Sequence, residues 1–225
     1  MDSPAASPRK IFLTGGTGYM GGRLIPLLAP RGHSVTALVR PGSKSKLPGG
    51  VNGIKAVGGD ALDPESLRKS LSDCDTWVQL IGTPHPAPWK AAQFRAVDYR
   101  AVEASAAALP GSAIRHYVYL SVAQPAPMMR AFVQVRSECE AMLRAARIPA
   151  TFLRPWYVLG PGHRWPYLLI PAYKLLEKIP STREGALRFG FVTLPQMVRA
   201  LAHAVENPPE TTRIVDVPGI RQSRI

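Results

Sequence analysis

Cysteine is nearly missing from this 225-residue chain: Cys74 and Cys139 stand alone, in no CxxC or ligand-spaced pattern. That excludes a disulfide framework and a cysteine-based metal centre, and fits two reduced thiols in a cytosolic protein. Long apolar runs are also absent. A bilayer span needs about 20 apolar residues, and the most apolar segment, Tyr167 to Tyr173, is far shorter. Acids are few, 15 against 28 Lys plus Arg, leaving a net charge of +13. This balance suits anionic partners such as phosphorylated cofactors or acidic lipids, and peripheral membrane contact stays open. The basic residues are dispersed rather than clustered, which argues against nucleic acid. Residues 1–8 are polar and rich in Pro, Ala and Ser, so they read as a flexible tail and not as a secretory signal.

What is present begins with Lys10-Ile11-Phe12-Leu13-Thr14-Gly15-Gly16-Thr17-Gly18-Tyr19-Met20-Gly21-Gly22, an apolar run that breaks into glycines and resumes with Leu24, Ile25, Leu27 and Leu28 on one helical face. The order strand, glycine loop, helix is what a dinucleotide pyrophosphate requires, because backbone N–H groups and the dipole at a helix N-terminus hold the negative charge. Gly15 allows the turn, Gly18 the close approach and Gly21 the packing of helix on strand. Thr14, Thr17, Tyr19 and Met20 join them as candidate cofactor-binding residues.

A second apolar strand, Ser34 to Arg40, ends in Arg40, followed by Ser43, Lys44 and Lys46, with no acid before Asp60. A carboxylate at that strand end suits the ribose 2′-OH of NAD, whereas cations suit a 2′-phosphate. NADP(H) is therefore preferred, with NAD(H) possible. Gly53 to Asp60 forms a third strand, and Asp63-Pro64-Glu65 is a helix start with Asp63 as N-cap. Thr76 to Gly82 is a fourth strand whose end, Ile81-Gly82-Thr83, lines the central ribose. Pro84 to Trp89 is a proline-rich loop over the site, and its His85 is a minor acid-base candidate. A helix over 91–109 and a fifth strand, Arg115 to Ser121, follow. Helix from Arg130, sixth strand Ala150 to Pro155, a last main helix opening at Phe191, and a short strand Arg213 to Val217 complete the pattern. Segment 184–190 reads as loop or short strand. Alternation of this kind predicts an α/β protein with a Rossmann-like doubly wound parallel sheet, helices on both faces and a small C-terminal substrate-binding part. We place a single domain at 9–217, its substrate or lid region at 155–195, and a flexible tail at 218–225.

The Thr14-Gly15-x-x-Gly18-x-x-Gly21 loop, Arg40, the Gly59-Asp60 step and the Arg154-Pro155 ending together resemble the short-chain dehydrogenase/reductase superfamily, in its extended and atypical branches. The chain looks like the NAD(P)H-binding type, similar to NmrA-like regulators and to the complex I accessory subunit group. The resemblance implies that Asp60 and Ala61 lie beside the adenine and Pro155 beside the nicotinamide. It also implies a Ser after the fifth strand and a Tyr with a Lys four residues later. Ser121 holds the first position, but Phe132 and Arg136 stand where the Tyr and Lys belong, and none of the seven tyrosines has a Lys at that spacing. Phe cannot transfer a proton. Ser121, Arg136 and His163 are the candidate catalytic groups, with Arg136 either on the ribose or paired with Glu140 on its own helix. Trp156, Tyr157, His163, Arg164 and Trp165 make an aromatic, cationic substrate region; a helix packed on the sheet would use the neighbouring leucines. Two functions fit: an oxidoreductase for a small carbonyl or quinone-like substrate, or a non-catalytic NADP(H)-holding sensor or assembly protein. A sugar-nucleotide epimerase or dehydratase is weaker, since that chemistry leans on the missing Tyr.

Overall fold

Seven parallel strands carry the chain, in a computed structural model that describes residues 7–71, 73–161 and 170–224. In chain order these are β1 (Lys10–Thr14), β2 (Ser34–Val39), β3 (Ile54–Gly58), β4 (Thr76–Gln79), β5 (His116–Leu120), β6 (Ala150–Leu153) and β9 (Thr212–Val215). They line up as β3-β2-β1-β4-β5-β6-β9. The order reverses between β1 and β4, where connections diverge to opposite sides and leave a crevice at the carboxyl ends of the strands. A separate parallel pair, β7 (Tyr157–Leu159) with β8 (Phe191–Thr193), stands beyond β6.

Side chains alternate across each strand, so β1 feeds two cores. Ile11 and Leu13 pack with Leu24, Ile25 and Leu28 of α1 (Gly21–Leu28) and with α8 (Leu194–Glu206) and α9 (Val217–Gln222). Phe12 faces the other way, onto Trp77, Tyr117 and Phe152 and the helices α2 (Pro64–Leu71), α4 (Arg100–Ala108) and α5 (Arg130–Ala145). Thr193 caps α8 through a reciprocal pair with Gln196, and Asp63 caps α2 by accepting from the amides of Glu65 and Ser66, as its position before Pro64 predicts.

Three local expectations are corrected. Segment 184–190 is not loop or strand: Pro180–Arg188 is a helix, α7, with Pro180 opening its first turn. Phe191 is in β8, and the last main helix opens only at Leu194. The tail expected from 218 is instead largely α9, anchored by buried Val217 and Ile220 and by Arg221, which donates to the Phe191 carbonyl and pairs with Glu177. The short helix α3 (Ala91–Gln93) runs into α4 through a π-helical turn, Phe94–Tyr99. That wide turn matters for the site.

Candidate functional site

The glycine loop sits in the crevice between β1 and β4. Gly15 has φ +82°, and a Cβ there would come 2.9 Å from the Leu80 carbonyl carbon, so the loop lies directly on the chain leaving β4. The Gly18 amide donates to the Gly15 carbonyl at 3.0 Å and Gly18 faces solvent. A Cβ on Gly21 would stand 2.7 Å from the Gly16 Cα. No side chain caps the start of α1; the Gly22 and Arg23 amides donate to the Gly18 and Met20 carbonyls, each at 3.0 Å, which tightens the first turn of α1 on the glycine loop. The cradle thus fits a dinucleotide pyrophosphate: Gly15 makes the turn, Gly18 leaves the loop open to solvent, and Gly21 lets α1 close on Gly15 and Gly16.

Thr14 is a correction. It is fully buried, and its hydroxyl donates to the Gln79 side chain and receives the Trp77 indole N–H at 3.4 Å. It stitches β1 to β4 and is closed to a ligand. Thr17 is half-buried at the loop. Tyr19 and Met20 pack on the core edge; the Tyr19 hydroxyl donates to the Pro161 carbonyl at 3.2 Å and the Arg23 guanidinium lies 4.8 Å from its ring centre. Arg40 and Lys44 are exposed just past β2. Asp60 is exposed, and its carboxylate accepts from the Leu62 amide at 2.9 Å, while Ala61 leans on the core beside it. Ile81 and Gly82 are half-buried after β4 and Thr83 is buried.

Beneath Gly82 lies the group that the sequence misreads. Arg136 donates to Asp98 Oδ1 at 2.5 Å, to the Leu120 carbonyl at 2.7 Å and to the Tyr119 hydroxyl at 3.1 Å. Asp98 also accepts from the Thr83 amide at 2.9 Å and hydroxyl at 2.6 Å. Arg136 is 6% exposed and Asp98 1%. Neither expected role holds: the guanidinium is neither offered to ribose or phosphate nor paired with Glu140, because the π-helical turn brings Asp98 against it first. Asp98, which sequence reasoning did not select, thereby fixes Thr83 and the loop after β4. Desolvation opposes the charge on Arg136, but Tyr119 and Asp98 outweigh it and raise its pKa, so the guanidinium stays charged. Burial pushes the Tyr119 phenol well above 10.

Ser121 is likewise turned away. Its hydroxyl donates to Glu140 at 2.6 Å, and Glu140 also accepts from Gln124, Arg144 and both Nε and Nη2 of Arg154. This buried carboxylate stitches β5, α5 and β6 together, so Ser121 and Arg154 act as its partners and not as open site groups. Phe132 is 9% exposed with its ring 4.9 Å from that of Phe94. Pro155 is buried, and its carbonyl accepts from the Ala123 amide. Trp156 stacks edge-on against Phe189 at 5.1 Å, and Tyr157 meets Phe191 at 6.1 Å. These aromatics are half-buried and form one wall past β6, part core and part pocket edge. His163, Arg164 and Trp165 lie outside the described residues. A shallow cleft of about 580 Å³, lined by Gln124, Arg130, Gln134 and Arg154, runs along the face of α5 opposite Phe132 and Arg136. No His/Cys/Asp/Glu cluster among the described residues could hold a metal ion, and no described helix is long and apolar enough to cross a membrane.

Residues 15–165 match the NAD(P)H-binding family. An isoflavone reductase homologue of Arabidopsis thaliana is 35% identical over 86 residues, 35% of this chain and 28% of that protein, so the match spans under a third of the plant relative. A 3-diazoavenalumate denitrifying reductase from a Streptomyces species is 25% identical over 225 residues, 88% of this chain and 72% of that one. The fold is shared with the Bordetella bronchiseptica enzyme WbmG, solved in complex with NAD and UDP, at TM-score 0.67 and 19% identity, covering 96% of this chain and 75% of that one. A sheet reversing at β1/β4, a glycine cradle on an uncapped helix and a family match over two thirds of the sequence agree, and the chain belongs to the NAD(P)H-binding family.

Proposed function

We propose that this protein is an NADP(H)-preferring reductase of quinone-like or activated carbonyl acceptors, working without an enzymic Tyr acid. The observation that carries the reading is Phe132 in the place of the proton donor, packed on Phe94 above a guanidinium whose bonds to Asp98, Leu120 and Tyr119 all point inward. When bound, the nicotinamide supplies a hydride; the chain supplies the cradle, the ribose loop held by Asp98, and the aromatic wall at Trp156 and Tyr157. Hydride addition to a quinone leaves a phenolate-like oxygen, whose conjugate acid has a pKa of about 10, so water suffices to protonate it. An unactivated ketone would give a far more basic alkoxide and would need the missing acid. Arg40 and Lys44 support the 2′-phosphate, with no carboxylate at the end of β2 to oppose it.

The test is calorimetric titration with NADPH and NADH, followed by a screen of quinones, aldehydes and ketones at the nicotinamide absorbance. We expect tighter NADPH binding and oxidation with quinones well above background. The inward locking of Ser121 and Arg136 also supports a second reading, a non-catalytic NADP(H)-holding sensor or assembly protein. Tight binding with background turnover across the screen would select it. Ser121 and Arg136 then have structural roles alone.

A further inference from the structure

Among the described residues, every strongly exposed large apolar side chain except Ile214 lies in a connection leaving the carboxyl end of a strand. Leu62 follows β3, Trp89 follows β4 and Met128 follows β5. Trp89 is 83% exposed and Met128 60%. The densest group is in the connection after β7, where α6 (Ile170–Leu176) turns into α7: Leu175 is 62% exposed, and Leu176 and Ile179 are more than a third exposed. Lys178 and Arg183, exposed in the same hairpin, have no ion-pair partner among the described residues. The backbone there is ordered by its own bonds, since Thr182 donates its hydroxyl to the Leu176 carbonyl at 2.8 Å and the Arg183 amide donates to Ile179. Apolar side chains are thus held outward beside cations that no described carboxylate neutralises.

We propose that this rim, centred on Leu175, Ile179, Lys178 and Arg183, docks on an anionic lipid bilayer. Charge selects the occupant. A second copy of the chain would bring another +13 against the first, whereas an acidic headgroup layer neutralises Lys178 and Arg183 while Leu175 and Ile179 enter the acyl boundary. Glu177 of the same hairpin pairs with Arg221 of α9, the helix that follows β9, so the docking face lies on the part of the fold beyond β6. Independently of the reductase reading, the surface stands on exposure and charge; if that reading holds, the bilayer is the source of a lipophilic acceptor.

The experiment is flotation of the full chain with vesicles of phosphatidylcholine, alone or with about 30% phosphatidylglycerol to supply the anionic surface. NADPH binding is measured on the same samples. We expect flotation with the anionic vesicles only, weakening with salt. The paired variants Leu175→Asp/Ile179→Asp and Lys178→Glu/Arg183→Glu should each lose about tenfold or more. A charge-matched control on the opposite edge, Lys69→Glu/Arg115→Glu, should keep most of it. No flotation, equal loss in patch and control variants, or a patch that changes only the oligomeric state would overturn the proposal. If NADPH still binds in those cases, the cofactor reading stands; if flotation holds and NADPH does not bind, the cofactor reading falls and the docking surface remains.

Discussion

Arg136 and Asp98 form a buried ion pair, 2.5 Å between Nη2 and Oδ1, across 38 residues of sequence and directly beneath Gly82. Each charge is solvated by the other and by fixed polar groups, so removing one strands its partner. Asp98→Ala should destabilise the fold by about 3–5 kcal/mol and weaken NADPH binding through the loosened Thr83. In Asp98→Asn/Arg136→Met both charges are gone, and the introduced amide oxygen would still accept from Thr83. Urea denaturation of the two singles and the double should give a favourable coupling of at least about 0.5 kcal/mol; strict additivity would show that the two side chains do not depend on each other.

Gly21 and Gly22 are adjacent, yet their surroundings differ. A methyl at 21 meets the Gly16 Cα at 2.7 Å, whereas at 22 the nearest atom is the Gly16 carbonyl oxygen at 3.9 Å. Gly21→Ala must therefore push α1 off the glycine loop, costing about 1–3 kcal/mol and abolishing measurable NADPH binding. Gly22→Ala should bind normally and gain up to about 1 kcal/mol from helix propensity. Thermal unfolding and fluorescence titration of both variants check the contrast, and equal behaviour would refute the packing argument.

The sheet was legible because each strand is a short apolar run closed by Gly, Pro or a polar turn, and because the glycine loop fixes where β1 ends and α1 begins. The inward-facing charges were harder to see. Arg136 and Glu140 are four apart, which suggests a pair along the helix, but Arg144 and Arg154 occupy Glu140 while Asp98 takes Arg136. A signal existed: both charges lie on the apolar stripe of α5 with Phe132, Val135, Cys139 and Leu143, and a charge on such a stripe implies a buried partner from another element. Nothing local announces that the partner is Asp98, since its approach depends on the π-helical turn over Phe94–Tyr99. Helix α7 was missed for another reason. Its single buried residue, Ala186, leaves no apolar periodicity to read.

Arg40 tests the choice of cofactor. It is exposed past the end of β2, where a 2′-phosphate would meet its guanidinium and a free 2′-OH would gain little. Arg40→Glu should weaken NADPH by about tenfold or more, a loss of at least about 1.4 kcal/mol, and leave NADH unchanged or tighter. Parallel titrations of both nucleotides read this directly; equal loss for the two would assign Arg40 to the loop's structure instead.

His116 should make the fold sensitive to acid. It is 2% exposed at the amino end of β5, its Nε2 lies 3.0 Å from the Thr151 hydroxyl, and its Nδ1 has no hydrogen-bond partner among the described residues. Burial, reinforced by Arg9 and Arg213 and only partly offset by Asp75, lowers its pKa from 6.5 to about 4. The folded state therefore keeps this imidazole neutral while the unfolded chain takes up a proton below 6.5. Its contribution is complete above that pH and is lost as pH falls toward 4, at up to about 1.4 kcal/mol per pH unit and roughly 3 kcal/mol in all. His116→Gln keeps a hydrogen-bonding side chain but cannot titrate. Its urea stability at pH 7 should lie below that of the parent, yet between pH 7 and 5 it should fall much less steeply. Parallel slopes over that interval would place the acid sensitivity in other groups.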